Sequence, residues 1–426
     1  MSTRTITAPR GTFTATAAVP GDKSLSHRAL ILSAMAAGES EVHNLGPGRD
    51  VASTVAALEA VGVVVDQGRV SSPGVDHWAA PPGPIDCGNS GTTMRLMAGA
   101  LAGRPFRSTL TGDLSLRARP MERLRAPLTS LGSSFETSEA GTAPLVVGAD
   151  APLHGADITI DVASAQVRTA FILAAIQAEG PSSISSPGGY RDHTERWLGA
   201  MGLGTREAGD RFQILPAPVP AGRWMIPGDP SSAAFLWAAA AARSGSSVST
   251  DAVSLNPGRI GFLQVLEEMG AVVEAEVTGD VGGEPIGNVT VVGRGLHGTE
   301  IGGALSVAAL DELPLVAVLA ALGEGVTRVR DATELRAKES DRITSTVRML
   351  RGLAGAAEDT GDGFEVVGTG WLESGIVATA GDHRIAMAAA VAAVGCTGPV
   401  TIDGADAADI SWPGFYEVLE ATWSSR

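Results

Sequence analysis

The stretch Pro20-Gly-Asp-Lys-Ser-Leu-Ser-His-Arg28, running on through Ala29-Leu-Ile-Leu-Ser-Ala-Met-Ala-Ala37 to Gly38, decides the fold. A loop of charged and hydroxyl side chains leads directly into a segment that is apolar nearly all round, and a glycine closes it. A helix of that kind is buried. A glycine after its last turn suits a residue that takes positive φ. A short β-like segment, Glu41–Leu45, follows.

Working outward, the same order returns five more times at a period of roughly 70 residues, longer than the common solenoid repeats. The later openings are Asp86-Cys-Gly-Asn-Ser-Gly-Thr92, Asp161-Val-Ala-Ser-Ala-Gln166, Pro227-Gly-Asp-Pro-Ser-Ser232, Ala309-Leu-Asp-Glu-Leu-Pro314 and Gly381-Asp-His-Arg384. The apolar helices are expected to stop at Gly38, Gly103, Gly180, Gly245, Gly323 and Gly395. Further strand candidates are Arg107–Thr111, Val326–Arg330 and Val400–Asp403. A second, amphipathic helix closes each copy: Thr54–Val61, Met121–Leu131, Thr194–Met201, Ile260–Met269, Asp341–Leu350 and Phe415–Ala421. Their charges predict solvent-facing surfaces.

The dipeptide Pro-Gly recurs in Val19-Pro-Gly-Asp22 and Ile226-Pro-Gly-Asp229, with three copies between these points and three after. The expected architecture is α/β, with two domains crossing near residues 20 and 227. One takes residues 1–20 and 227–426, the other 21–226, with a cleft between them. Polar residues gather at the N-terminal end of every buried helix. Unpaired N–H groups and positive dipole ends there form an anion site that needs no net positive charge on the protein.

Composition narrows the function. The longest apolar runs, Ala233–Ala242 and Leu313–Leu322, have helix length but not membrane-span length. The segment Met1-Ser-Thr-Arg-Thr-Ile-Thr7 has no apolar signal core. Cys87 and Cys396 are too few for a disulfide framework or a metal cluster. A cytoplasmic location without membrane contact is expected. The net charge of −16 argues against general affinity for nucleic acid or anionic lipid. Among 31 basic residues only Lys23 and Lys338 are lysines. Lysine is a compact charge able to lose its proton, so the two survivors mark positions where a guanidinium does not serve.

The openings supply the candidate residues, each with a plainer alternative. Lys23, Ser24 and Arg28 suit a phosphate or carboxylate. Alternatively, Ser24 is a helix cap and Arg28 a surface cation. The Gly-x4-Gly-Lys spacing of a nucleotide loop is missing. In Asn89-Ser-Gly-Thr-Thr-Met-Arg95, Gly91 admits a close ligand, and Arg95 is costly in an apolar helix unless an anion meets it. Arg117-Ala-Arg119-Pro120 reads either as a carboxylate clamp or as a basic surface turn. Ser164 is a default cap, whereas Gln166 and Arg168 are odd in a merely buried helix. Tyr190-Arg191-Asp192-His193 opens a companion helix, with Asp192 a candidate cap. Asp311-Glu312 either complements a dipole or supplies a general base. Lys338-Glu339-Ser340-Asp341-Arg342 is a solvated charged run or, through Lys338 beside Glu339, a proton donor and acceptor pair. Arg384 enters another apolar surface. These residues suit transfer between two small polyanions with acid–base help and no cofactor or metal.

Together the motifs resemble the 5-enolpyruvylshikimate-3-phosphate synthase family of enolpyruvyl transferases over essentially the whole chain. They are Pro20–Arg28, Gly88–Arg95, Arg119-Pro120, Ser164-Ala-Gln166, Arg191-Asp-His-Thr-Glu195, Lys338–Arg342 and Asp382-His-Arg384, in the family's order. The resemblance implies two domains, each of three βαβαββ units arranged as an inside-out α/β barrel, whose buried helices converge on an interdomain cleft. It also implies transfer of the enolpyruvyl group of phosphoenolpyruvate to shikimate 3-phosphate. Lys23, Ser24, Arg28, Ser164, Ala165, Gln166, Ser186, Asp311 and Lys338 would hold shikimate 3-phosphate. Lys23, Gly91, Arg119, Gln166, Arg342 and Arg384 would hold phosphoenolpyruvate, with Asn89, Arg95 and Arg191 in support. Asp311, Glu339 and Lys23 would carry the proton transfers. A monomer is implied, with glyphosate as a candidate inhibitor.

Three positions depart from many members: Leu96 in place of proline, Glu334 in place of asparagine, and Ala408-Asp-Ile-Ser-Trp-Pro413 without a phosphate-binding lysine. Gly91 is typical of glyphosate-sensitive enzymes, while Arg191–Glu195 leans toward the tolerant branch, so the response stays open. The rivals are the related transferase acting on UDP-N-acetylglucosamine and a non-catalytic anion-binding protein. The first carries a cysteine in the loop matching Gly112–Arg119, which has none here. The second is supported only by the missing lysine.

Overall fold

Short polar side chains set where the buried helices begin. In a computed structural model describing residues 2–161 and 163–425, six helices are buried over most of their length. They are α1 (Lys23–Met35), α2 (Gly91–Leu101), α3 (Ala165–Ala175), α4 (Pro230–Ala241), α5 (Leu313–Leu322) and α6 (His383–Ala392). Asp22, Ser90, Ser164, Asp229 and Asp382 cap five of them by accepting from the amides of Leu25, Thr93, Val167, Ser231 and Arg384. Such a cap contributes about 1 kcal/mol. Val162, within the third opening, lies outside the described residues.

The helix-ending glycines divide into two kinds. Gly38, Gly180 and Gly245 take φ of 109°, 114° and 83°. Gly103, Gly323 and Gly395 do not take positive φ, contrary to the sequence expectation. A Cβ on them would lie 3.0 Å from Gln177 Oε1, 3.1 Å from Leu296 and 2.5 Å from Leu322 Cδ2, respectively. At these three, close neighbours rather than backbone conformation explain the residue.

The chain divides into two compact units. The first is Met1–Pro20 with Pro227–Gly279 and Pro285–Arg426; the second is Gly21–Ile226 with Asp280–Glu284. Each holds three open sheets around its three buried helices. In the second unit the strand orders are Arg223–Met225, Ala37–His43, Arg69–Pro73, Val64–Asp66; then Ile85–Asp86, Ser108–Thr111, Leu145–Gly148, Ser134–Glu136; and then Asp157–Thr159, Ser182–Ser185, Phe212–Ile214, Gly204–Arg206. The first pair in each is parallel and the rest antiparallel. In the second and third sheets that is one βαβ crossover followed by a meander; in the first, the parallel partner Arg223–Met225 comes from the far end of the unit. The first unit repeats the scheme twice, with parallel pairs Thr14–Thr16 with Ser247–Ser254 and Glu300–Ile301 with Glu324–Val329. Its last sheet has three strands, Thr3–Ile6, Val400–Asp403 and Gly375–Ala378. Two entry strands pair far along the chain: Arg223–Met225 beside Ala37–His43, and Thr14–Thr16 beside Ser247–Ser254.

The companion helices are Arg49–Glu59, His193–Ala200, Gly261–Glu268, Arg342–Gly352 and Phe415–Ser424. The expected helix Met121–Leu131 is instead a 3-10 turn, Glu122–Leu124, and a short helix, Arg125–Thr129. Pro127 has no amide to donate to residue 123, which a helix tolerates only in its first turn, and the α-helix accordingly starts at Arg125, two residues before it. Nor do all companion charges face solvent: Asp50, Glu195 and Arg342 are buried.

In the second unit, α2 and α3 touch backbone to backbone at Gly99. A Cβ there would lie 2.2 Å from Ala170 O and 2.6 Å from its Cα. Replacing a helical glycine by alanine ordinarily gains about 1 kcal/mol, but forcing apart packed backbones costs about 1–3 kcal/mol or more. Gly99→Ala is therefore expected to lower the melting temperature by several degrees, and Gly99→Val by more. An unchanged or raised midpoint in thermal unfolding would show that the helices separate without cost.

Candidate functional site

In the second unit, side-chain hydrogen bonds join the N-terminal ends of α1, α2 and α3. Lys23, the first residue of α1, is half-buried, and its Nζ lies 3.0 Å from Asp50 Oδ2. Asp22 is the cap, not Ser24, which offers its carbonyl to Arg28 Nη1 at 2.9 Å. Arg28 is no surface cation, being only 3% exposed. Its Nε donates to Thr194 Oγ1 at 2.8 Å and its Nη2 to Thr169 Oγ1 at 2.9 Å. All three acceptors are neutral, and among the described residues no carboxylate pairs with the guanidinium. Burial pulls it down to about 10, against the more distant pull of Glu195, Asp22 and Glu284.

Its neighbour Arg168 is handled differently. Arg168 is fully buried, yet it donates from Nε to Glu195 Oε1 at 2.7 Å, holds Ser186 Oγ at 2.9 Å through Nη1, and lies 4.1 Å over the Tyr190 ring. Arg168 thus has its own counter-ion, whereas Arg28 meets two hydroxyls and a carbonyl.

At α2, Gly91 supports two guanidinium groups. A Cβ there would sit 3.0 Å from Arg95 Nη1 and 3.2 Å from Arg119 Nη1. Arg95 donates to Gln166 Oε1 and to Pro120 O, and Gln166 donates on to Thr92 Oγ1 at 2.9 Å. Arg119 reaches Asn89 Oδ1 at 2.6 Å and is 7% exposed, while Arg117 faces solvent. Ser164 caps α3, and Ala165 is its first residue. Behind this rim runs a buried chain, His27 Nδ1 to Thr54 Oγ1 at 2.6 Å, Thr54 to Thr93 at 2.7 Å, and Thr93 to Ser90 at 2.8 Å. Burial, then Lys23 and Arg28, hold His27 well below the usual imidazole range, so it is neutral. Arg191 is half-buried just before helix His193–Ala200. Asp192 stands in the cap position of that helix but pairs with Arg196 and Arg206 at 2.7 and 2.6 Å instead of capping.

The first unit assembles Asp311, Lys338, Glu339, Arg342 and Arg384 around the starts of α5 and α6. Arg342 is 2% exposed and meets three carboxylates: Asp382 at 2.8 Å, Glu339 at 2.5 Å and Asp311 at 3.2 Å. Burial works against its charge, but Asp382, Glu339 and Asp311 outweigh it and hold the group above its usual value. Lys338 Nζ lies 3.4 Å from Asp311. Glu339 therefore pairs with Arg342 and Lys338 with Asp311, which departs from the expected pairing of Lys338 with its sequence neighbour. Glu312 does not cap α5. It receives Arg384 Nη1 at 2.9 Å and Ser231 Oγ at 2.5 Å, and Arg259 bonds Ser231 and Asp229 at 2.9 and 2.8 Å.

Sequence reasoning missed Asp50, Thr169, Arg259 and the role of Glu312. Asp50 opens a companion helix, where a carboxylate reads as a dipole complement, and nothing local points it at Lys23. The departing positions fall as follows: Leu96 is fully buried, Glu334 is exposed, and Ala405–Ile410 forms a 3-10 turn.

Comparison with known proteins gives one consistent result. The family described as EPSP synthase (3-phosphoshikimate 1-carboxyvinyltransferase) matches residues 8–419. A 3-phosphoshikimate 1-carboxyvinyltransferase of Herpetosiphon aurantiacus is 43% identical over 408 residues, covering 94% of each chain. One of Roseiflexus castenholzii is 44% identical over 414 residues, covering 94% of this chain and 95% of its own. The solved EPSP synthase of Acinetobacter baumannii superposes with a TM-score of 0.86 at 35% identity, covering 99% of this chain and 98% of its own. Neither rival reading is favoured by these likenesses.

The buried pair Arg168–Glu195 yields a stability prediction. Glu195→Leu leaves a buried charge without its partner and is expected to cost about 3–5 kcal/mol, whereas adding Arg168→Met should return most of the loss. Urea unfolding of the two variants checks this. Equal losses in single and double variants would mean that the pair's charges do not matter to stability.

Proposed function

The chain belongs to the EPSP synthase (3-phosphoshikimate 1-carboxyvinyltransferase) family, and from this premise we propose that it transfers the enolpyruvyl group of phosphoenolpyruvate to the 5-hydroxyl of shikimate 3-phosphate, releasing phosphate on the way to chorismate and the aromatic amino acids. The observation that carries the reading is Arg28: a buried guanidinium held by three neutral acceptors, at the start of a helix whose neighbours also present cations.

In this reading Lys23, Ser24, Arg28, Ser164, Ala165, Gln166 and Ser186 bind shikimate 3-phosphate with Asp311 and Lys338. Lys23, Gly91, Arg119, Gln166, Arg342 and Arg384 bind phosphoenolpyruvate, with Asn89, Arg95 and Arg191 supporting both. The 5-hydroxyl oxygen adds to C2 of phosphoenolpyruvate, and Asp311 takes its proton. Lys338 and Arg342 beside Asp311 favour its anionic form, as a base requires. A proton delivered to C3 by Glu339 with Lys23 completes the tetrahedral adduct. Loss of a C3 proton then re-forms the double bond as the C2–O bond to phosphate breaks and its electron pair leaves with phosphate. Arg342 and Arg384 stabilise the charge that shifts onto the phosphate. No cofactor enters this scheme. A cytoplasmic monomer is part of the reading, as is competition by glyphosate, whose two anionic ends would seek the cations that hold phosphoenolpyruvate.

Phosphate release is the direct test. The protein is expected to release phosphate from phosphoenolpyruvate only when shikimate 3-phosphate is present, and Lys23→Met should abolish the release. Release that ignores shikimate 3-phosphate, or survives the substitution, would sink the assignment.

Glu339→Gln separates catalysis from binding. It keeps the shape of the side chain but cannot move the proton, so kcat should fall about 10²–10⁴-fold while shikimate 3-phosphate still binds in calorimetry. Unaltered turnover would remove Glu339 from the proton path.

A further inference from the structure

Resting on the reading that Arg28 binds shikimate 3-phosphate, we propose that Thr194, with Thr169, is the positioning residue that aims the Arg28 guanidinium at the substrate anion. The segment Arg191–Glu195 stands out in the sequence, yet the scheme above gives its threonine no task.

Thr194 lies in the first turn of helix His193–Ala200 and is fully buried. Its hydroxyl accepts from Arg28 Nε at 2.8 Å, Thr169 accepts from Nη2 at 2.9 Å, and the two hydroxyls bond each other at 2.7 Å. Guanidinium and threonines form a closed ring in which either hydroxyl donates to the other and both still accept from arginine. Ser24 O takes a hydrogen from Nη1 at 2.9 Å. An arginine has five N–H hydrogens. Three are used, which leaves one on each Nη, the fork that meets a carboxylate or phosphate bidentately.

The flanking residues explain why Thr194 holds still. His193 Nδ1 lies 2.5 Å from Glu284 Oε1, with both side chains fully buried. Glu195 holds Arg168 at 2.7 Å, again with both side chains buried. A hydroxyl fixed between two buried anchors is a firm post for a long, rotamer-rich side chain. A carboxylate in its place would also hold Arg28 but would compete with the substrate for its charge. A neutral acceptor orients the cation and leaves the charge available.

The test uses the full-length protein and measures shikimate 3-phosphate binding by calorimetry together with steady-state kinetics. Thr194→Val keeps the shape and removes the acceptor. It should weaken shikimate 3-phosphate binding and raise its KM by about 10-fold, the loss of one aligned hydrogen bond, with a smaller change in the KM for phosphoenolpyruvate. Thr194→Ser restores the hydroxyl and should recover most of the affinity, which a purely structural role for the methyl group would not produce. Should Thr194→Val fail to fold, Thr169→Val and Thr169→Ser carry the same comparison from within α3. Wild-type affinity in the folded valine variant, or a serine variant no better than valine, overturns the positioning role alone. Failure of the wild-type protein to bind shikimate 3-phosphate overturns both this proposal and the reading on which it rests.

Discussion

Burying the start of a helix takes up to four unpaired amides and the positive end of a dipole out of water. This protein has six buried helices, three in each unit; the first residues of α4, α5 and α6 are buried, while Lys23 of α1 and Ala165 of α3 are half-buried. Capping side chains satisfy part of the demand, and what remains is positive potential that bulk water screens only in part. Nearly every polar contact described above responds to that condition. It also accounts for an anion site in a chain of net charge −16: the potential comes from oriented backbone and a few buried cations, not from overall charge.

The two units answer the condition in different ways. The second leaves Arg28 among hydroxyls and a carbonyl, and in the proposed function the substrate anion offsets the cost of burying its charge. The first surrounds Arg342 with Asp382, Glu339 and Asp311 and gives Glu312 to Arg384. There, in the proposed function, a substrate anion would share its cations with protein carboxylates. In the proposed mechanism this difference has a use. The second unit supplies a cation ready for an anchor group, and the first supplies carboxylates whose protonation can respond when Arg342 takes a new partner.

Arginine and lysine are also distributed by task. The buried positions Arg28, Arg168 and Arg342 each use several donors at once, which a rigid planar fork does well. The two lysines are less buried, with side chains 21% and 28% exposed, and each meets a carboxylate. The proposed chemistry asks Lys23 to take part in proton transfer and Lys338 to act as a compact charge beside Asp311.

The amino-acid sequence by itself determined the six apolar helices, their starts, the repeat, and the family resemblance that brought the site residues together. These are local properties: a cap acts within three residues, and helical burial shows in the run of side chains along a few turns. Tertiary structure alone decided the partners. Lys23 with Asp50, Arg28 with Thr194, Arg168 with Glu195 and Arg384 with Glu312 join positions 27, 166, 27 and 72 residues apart. Nothing within a helical turn of either member announces the other. The same holds for Gly99 and Gly91, whose side chains are excluded by Ala170 and by two guanidinium groups. It also holds for the exchanged strands Thr14–Thr16 and Arg223–Met225, which pair with Ser247–Ser254 and Ala37–His43. Such contacts depend on ångström-scale distances between packed elements, and those distances are set only once the whole chain has folded.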